Sequence, residues 1–235
     1  MYKKKLVYQQ EAPVIWCVQC QTAIAQAELE DSELDSTFND IHFTLENGEK
    51  ITIATTRPEL LPACDMIFVH PDDPRYKKLI GKTATVPLFE QKVPIHSDES
   101  VNQEKGTGIL MVCSFGDKND VEAIKKRKIE PRIALTKDGK LNDLGKEFQG
   151  LPIKEARKAI MQKLEEEKLL ISKKPIKHTV NVHERCKTEI EFLATKQWFI
   201  KVLDHKKELL DAGKKINWYP EHLKKGRFGK GLETA

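Results

Sequence analysis

Two short pairs of potential metal ligands, set far apart, constrain this chain more than any other feature. Cys17-Val18-Gln19-Cys20 and His183-Glu184-Arg185-Cys186 each hold two residues between their ligands, a spacing whose tight turn points both side chains at one tetrahedral centre. Roughly 160 residues separate the pairs, so a shared zinc ion would force distant parts of the chain together and leave the middle as an inserted globule on a zinc-pinned stalk. The same residues also read as reduced, buried thiols beside a surface histidine. Five cysteines, an odd number in 235 residues, argue against a disulfide framework and place the chain in a reducing, cytoplasmic setting.

Between the pairs the sequence alternates in strand fashion. Ile41-His42-Phe43-Thr44-Leu45 and Ile51-Thr52-Ile53-Ala54-Thr55 flank an Asn47-Gly48 turn, the pattern of a hairpin. Further strands are expected at Ala23–Glu30, Met66–His70, Thr83–Leu88, Ile109–Ser114 and Arg132–Leu135. Pro58, Pro62, Pro71, Pro74, Pro87 and Pro94 punctuate them, which implies a curved, barrel-like sheet with irregular crossings. Three helices are expected: Asn119–Lys128 capped by Asn119, Ile153–Leu170 with Ile153, Ala156, Ile160 and Leu164 on one face, and Trp198–Ala212 ending at Gly213. The fold class is α+β, with a curved, barrel-like globule at 31–175, a discontinuous zinc-ribbon-like stalk at 1–30 and 176–196, and a helical segment at 197–235.

Composition excludes little beyond membranes. No apolar run reaches the roughly 18 residues that cross a bilayer, and a net charge of +4 permits nucleic-acid contact without requiring it. Basic runs such as Lys125–Lys128 and Lys173–Lys177 read as solvated faces. No Ser-His or Cys-His pair is fixed by a short motif as a covalent nucleophile, and Cys113, within an apolar strand, reads as pocket wall.

Two segments share a polar vocabulary suited to a small amine. Thr55-Thr56-Arg57-Pro58-Glu59 supplies hydroxyls and a guanidinium, and Gly106-Thr107-Gly108 leads through an apolar run to Gly116, Asp117 and Asp120. Hydroxyls, bare backbone and two carboxylates can hold a zwitterion-like ligand. Taken alone, the aspartates could equally cap a helix, and the Thr-Thr-Arg-Pro run could be a strand end and turn.

These residues carry a resemblance. Ile53–Ala63 with its Thr-Thr-Arg-Pro-Glu-Leu-Leu core, Phe68-Val69-His70-Pro71-Asp72-Asp73, Gly106-Thr107-Gly108 and Gly116-Asp117-Lys118-Asn119-Asp120 resemble the editing insertion of the valyl-tRNA synthetases, most closely the archaeal form. Trp16–Ala25, His183–Phe192, Lys196–Val202 and Trp218–Glu221 resemble the segments by which that insertion leaves and rejoins the catalytic domain. The resemblance implies hydrolysis of threonine misattached to tRNA(Val) by a positioned water. Asp120 would anchor the α-ammonium group, and Asp117 would meet the threonine hydroxyl. Thr55, Thr56 and Arg57 would line the pocket, with Gly106, Thr107, Gly108 and Cys113 completing it; Arg57 would steady the ester or terminal adenosine. Cys17, Cys20, His183 and Cys186 would hold a structural zinc. ATP would concern only the absent catalytic domain, since neither a His-Ile-Gly-His nor a Lys-Met-Ser-Lys-Ser motif occurs.

The implied partners are threonyl-tRNA(Val) and the parent catalytic domain, with the chain itself a monomer. Gly229–Ala235 stands where the family continues into the catalytic fold. Met111 and Cys113 occupy positions where bacterial relatives commonly carry lysine and threonine, so those roles do not transfer. Two other readings stand beside this one: a zinc-stabilised RNA-binding module without activity, using Lys214, Lys215, Lys224, Lys225 and Arg227 on phosphates, and an isoleucyl-type editing domain.

Overall fold

Alternation builds the heart of the fold. Ile41, Phe43 and Leu45 point inward, as do Ile51 and Ile53 opposite them, while His42, Thr44 and Thr52 face outward. Buried side chains of this kind each contribute about 1.5–3 kcal/mol. The computed structural model describes residues 1–220 of the chain. In chain order the regular elements are β1 (Val7–Cys17), β2 (Thr22–Ala23), β3 (Leu29–Leu45), β4 (Lys50–Thr55), β5 (Cys64–Val69), β6 (Thr83–Thr85), β7 (Lys92–Ser97), β8 (Ile109–Cys113), α1 (Lys118–Arg127), α2 (Ile153–Glu166), β9 (Leu170–His183), β10 (Glu191–Ile200) and α3 (Lys206–Lys214). They form two compact units, Pro13–Ala194 and a smaller one made of Met1–Ala12 with the chain from Thr195 onward.

In the larger unit, strands run in the order β4-β3-β6-β7-β5-β8, with β9 paired to β3. β4 and β8, at opposite ends of that order, come back against each other, so the sheet curls into a half-barrel. β5 is buried along its whole length and divides two apolar clusters. Ile67 and Val69 join the hairpin residues and the Ala156-Ile160-Leu164 face of α2, whereas Met66 and Phe68 pack with Val121 and Ile124 of α1. In the smaller unit Tyr8 stacks on Phe199 with ring centres 5.7 Å apart, and Tyr2 meets Trp198 edge-on at 5.9 Å.

The hairpin and the strands at β5 and β8 form where alternation and apolar runs predict them. Other expectations are corrected. Ala23–Glu30 is not one strand: β2 stops at Ala23, a 3-10 turn covers Gln26–Glu28, and β3 starts at Leu29. Arg132–Leu135 makes only a single bridge, from Leu135 to Leu141, and β6 ends at Thr85 because Val86 turns to bond Gln91. Asp117, not Asn119, caps α1, accepting the Asp120 N–H at 2.9 Å. α2 stops at Glu166 because Lys168 adopts a left-handed backbone (φ 56°) and Leu170 begins β9. Trp198 lies in β10, and the helix expected there starts only at Lys206, with Gly213 inside it. Glu221, Lys224, Lys225, Arg227 and Gly229–Ala235 lie outside the described residues.

β9 is the largest element absent from the sequence reading. Its free outer edge tolerates Pro175, and its lysines face acidic residues of β3: Lys174 to Asp40 at 3.4 Å and Lys177 to Asp35 at 3.9 Å. Beyond the barrel, β3 and β9 continue as a two-stranded ribbon, from Phe38 opposite Lys174 to Leu29 opposite His183.

A buried chain of charges ties the half-barrel to its surroundings. Glu59, completely buried in the 3-10 turn Pro58–Ala63, accepts from Arg157 of α2 at 2.8 and 2.9 Å and from Arg57 at 3.0 Å. Arg57 in turn donates to both oxygens of Glu191 at the start of β10, at 2.8 Å each. Burial alone would raise the Glu59 carboxyl, but Arg57 and Arg157 hold it below the usual carboxylate range. Glu59→Gln leaves Arg157 without its carboxylate and Arg57 with Glu191 alone, one positive charge uncompensated, so it is expected to cost about 3–5 kcal/mol, lowering Tm by roughly 10 °C in a melt followed by circular dichroism.

Candidate functional site

Where β4 and β8 face each other the half-barrel opens into a cleft of about 830 Å³. Thr55, Thr56 and Arg57 at the end of β4 form one side, and Ile109, Met111 and Cys113 of β8 another. Asp117, Asn119 and Asp120 close it at the start of α1, and Phe38, Ile176, His178 and Thr179 extend it along the β3–β9 ribbon. The loop carrying Val101, Asn102, Lys105 and Gly108 supplies the remaining wall.

Of the residues the sequence singles out, Thr55, Thr56, Arg57, Gly108, Cys113, Asp117 and Asp120 line this cleft together. Gly106 and Thr107 do not line it. Gly106 has φ 61°, and a Cβ there would come within 2.7 Å of the Phe38 ring. Thr107 offers its carbonyl to the Tyr76 hydroxyl at 2.8 Å.

The polar groups are not equally free to meet a ligand. Thr55 Oγ1 accepts the Arg57 N–H at 3.0 Å, so this hydroxyl shapes the turn that leaves β4. Arg57 directs its guanidinium to Glu59, Glu191 and the Gly116 carbonyl (3.2 Å). The Cys113 thiol, buried next to Cys64, is pushed well above its usual range by burial first and Cys64 second. Asp117 both lines the cleft and caps α1.

Asp120 is the electrostatic centre. Burial, and then the neighbouring Asp117, push its carboxyl up to about 8; the Cys113 N–H, at 3.4 Å, and Arg57 only partly oppose this. A Cβ on Gly116 would lie 2.5 Å from the Asp120 carboxylate, so a glycine there gives that group its room. A neutral, desolvated carboxyl is poised to ionise when a cation arrives.

Sequence reasoning missed three contributors. Glu191 and Arg157 hold Arg57 and Glu59 through contacts far apart in sequence, which no local spacing announces. His178 lines the ribbon end of the cleft, and its Nδ1 is buried with no hydrogen-bond partner among the described residues. Strict alternation from Ile176 to Val182 is the signal that could have placed it on a strand.

The Cys/His cluster assembles within the larger unit, at the far end of the β3–β9 ribbon. The ligand atoms of Cys17, Cys20, His183 and Cys186 lie within 4.8 Å of one another. Sγ of Cys17 is 3.4 Å from Sγ of Cys186, and Nδ1 of His183 is 3.6 Å from Cys20 Sγ and 3.4 Å from Cys186 Sγ. Three thiols and an imidazole converging at these distances form a donor set that could hold a metal ion. The Cys20 N–H also points at Cys17 Sγ at 3.4 Å, a contact suited to a thiolate.

Comparison with known proteins supplies the family. The family model for tRNA synthetases class I (I, L, M and V) matches residues 1–235. The chain belongs to the class I tRNA synthetase family. Within it, this synthetase chain is 46% identical to a valine--tRNA ligase of Thermoplasma volcanium over 95% of its length, and 47% identical to one of Haloarcula marismortui over 92%. A valine--tRNA ligase of Rickettsia conorii is 45% identical over 95% of the chain, so bacterial as well as archaeal relatives share the sequence. The chain spans only about a quarter of these relatives, 28%, 25% and 28% of their lengths respectively.

The raised Asp120 carboxyl has a stability signature in this synthetase chain. Because its folded value of about 8 exceeds the unfolded value, its protonation favours folding most at low pH, and that benefit is lost as pH rises toward 8. Asp120→Asn keeps an acceptor for the Cys113 N–H and never ionises. It is therefore expected to raise Tm at pH 8.5 by roughly 3–6 °C, with the gain vanishing near pH 4; equal differences at both pH values would contradict the assignment.

Proposed function

We propose that this chain is the proofreading portion of a valine--tRNA ligase, which hydrolyses the ester of threonine misattached to tRNA(Val). The observation that carries the reading is the paired Asp117 and Asp120 in a cleft roomy enough for an aminoacylated nucleoside, in a chain so similar to valine--tRNA ligases.

In this reading the α-ammonium of the bound residue meets Asp120, which loses its proton to form a desolvated ion pair. The threonine hydroxyl donates to Asp117. Valine fits the same space but offers a methyl group instead, leaving the Asp117 oxygen that does not cap α1 facing that methyl without a donor, and correctly charged tRNA is spared on that account. Thr56, Met111 and Leu60 enclose the side chain and ester, while Arg57 fixes the Gly116 carbonyl and through it the approach to Asp120. With the Cys113 thiol held protonated by burial, water is the nucleophile. It adds to the ester carbonyl carbon, the bond to the ribose oxygen breaks, and that oxygen leaves with a proton as free threonine and tRNA separate. ATP belongs to the catalytic portion of the parent enzyme, not to this step.

The metal at Cys17, Cys20, His183 and Cys186 is zinc in this proposal. It serves the fold by clamping the end of the ribbon whose other residues line the cleft.

Two measurements test these readings. Asp120→Ala is expected to lower kcat/KM for deacylating threonyl-tRNA(Val) by about 100-fold or more, the scale of losing a charge-assisted contact in the transition state, while valyl-tRNA(Val) stays intact with either protein. Turnover by the variant at the wild-type rate, or tRNA binding without turnover by the wild type, would defeat the proposal. Elemental analysis should find about one zinc per chain, and chelation should lower Tm; a metal-free preparation with an unchanged melt would remove the zinc.

A further inference from the structure

The cleft wall between β7 and β8 is fastened from behind by residues that no part of the hydrolysis uses. Asp73 is 1% exposed and grips Arg75, with Oδ1 accepting the Arg75 backbone N–H and Nε–H at 3.0 Å each and Oδ2 accepting Nη2–H at 2.7 Å. The same Nη2 donates to the Gln103 carbonyl at 2.8 Å. The next residue, Tyr76, lies under the guanidinium, whose Cζ is 5.0 Å from the ring centre, and gives its hydroxyl to the Thr107 carbonyl at 2.8 Å. Gly108, with φ 80°, has no room for a Cβ, which would come 2.5 Å from Arg75 Nη2 and 2.8 Å from the Gln103 carbonyl.

Two carbonyls of one loop are thus tied to adjacent side chains, of which Arg75 is itself locked to a buried carboxylate and Tyr76 lies against Arg75. Within the loop, Lys105 N–H bonds the Asn102 carbonyl at 3.2 Å and Gly108 N–H bonds the Lys105 carbonyl at 3.0 Å. The segment between the two anchors carries Lys105, an exposed cation on the cleft lining. A loop held on both sides of one lysine presents that charge at little entropic cost on binding.

We propose that Arg75, locked by Asp73, is a positioning residue that sets the loop Val101–Gly108 so that Lys105 meets a phosphate of the nucleotide chain entering the cleft. This rests on the reading of the cleft as a site for a nucleotide ester. Tyr76 supports the same loop at its second anchor. Lys105 contributes affinity, not chemistry, so the device acts on KM and on its salt dependence.

The test is a double-mutant cycle in deacylation of threonyl-tRNA(Val). Arg75→Ala and Lys105→Ala should each raise KM about tenfold and flatten its dependence on salt, with kcat little changed, and the double variant should match the single ones instead of multiplying them. Independent multiplication, or a wild-type KM in Arg75→Ala, would overturn the proposal. Hydrogen exchange on the uncomplexed chain provides a readout that needs no activity: the amides of Lys105 and Gly108 should exchange faster in Arg75→Ala and in the milder Tyr76→Phe. Unchanged exchange overturns the clamp even if the deacylase reading stands. Loosened exchange in Arg75→Ala beside a wild type without turnover removes the deacylase reading, and then the phosphate contact stands only if Lys105→Ala weakens binding of uncharged tRNA and flattens its salt dependence.

Discussion

The ion chain from Arg157 through Glu59 and Arg57 to Glu191 is the interaction on which the rest depends. It links α2, the turn after β4, and the start of β10, elements that hydrophobic burial alone could bring together in several orientations. Apolar packing is tolerant of sliding, whereas bidentate guanidinium–carboxylate pairs are directional. Burying four charges is costly in itself and yields little net stability. What the chain provides is register. Arg57 can reach Gly116 only in one placement of the strand end, and that placement fixes where Asp120 stands relative to Thr56.

The same economy governs the cleft. Several side chains that look available in sequence are committed to the scaffold: Thr55 to its own turn, Arg57 to two glutamates, Asp117 partly to the helix it caps. The exception is Asp120, which burial and Asp117 raise and which Arg57, already shared by Glu191 and Glu59, lowers only in part. Its environment therefore follows from the ion chain.

Much of this was legible in the sequence for local reasons. The hairpin announced itself because one face of each strand is buried, β8 because it is apolar throughout, and β5 through its apolar run Met66–Val69. The grouping of Thr55, Asp117 and Asp120 was legible through family resemblance, and the convergence of Cys17, Cys20, His183 and Cys186 through spacing. What escaped was set by partners distant in sequence. The basic run Lys173–Lys177 is the solvated face it looked like, with its lysines exposed, but nothing local indicated the strand it lies on, because its partners Asp35 and Asp40 stand more than a hundred residues earlier. Trp198 and Phe199 matched a helical spacing, yet in β10 they stand on a strand, where Phe199 stacks on Tyr8. Arg157 looked like one more charge on the polar face of α2, and nothing in its neighbours indicated Glu59.

Gly116 gives Asp120 space but no counter-charge. A permanently ionised carboxylate lining a cleft would attract any small cation that could enter. Burial and Asp117 hold Asp120 toward its neutral form instead, so it presents little charge to a passing ion. Only a cation brought close enough to displace the proton restores that charge, and burial thereby sets a distance threshold that a well-hydrated ion does not cross.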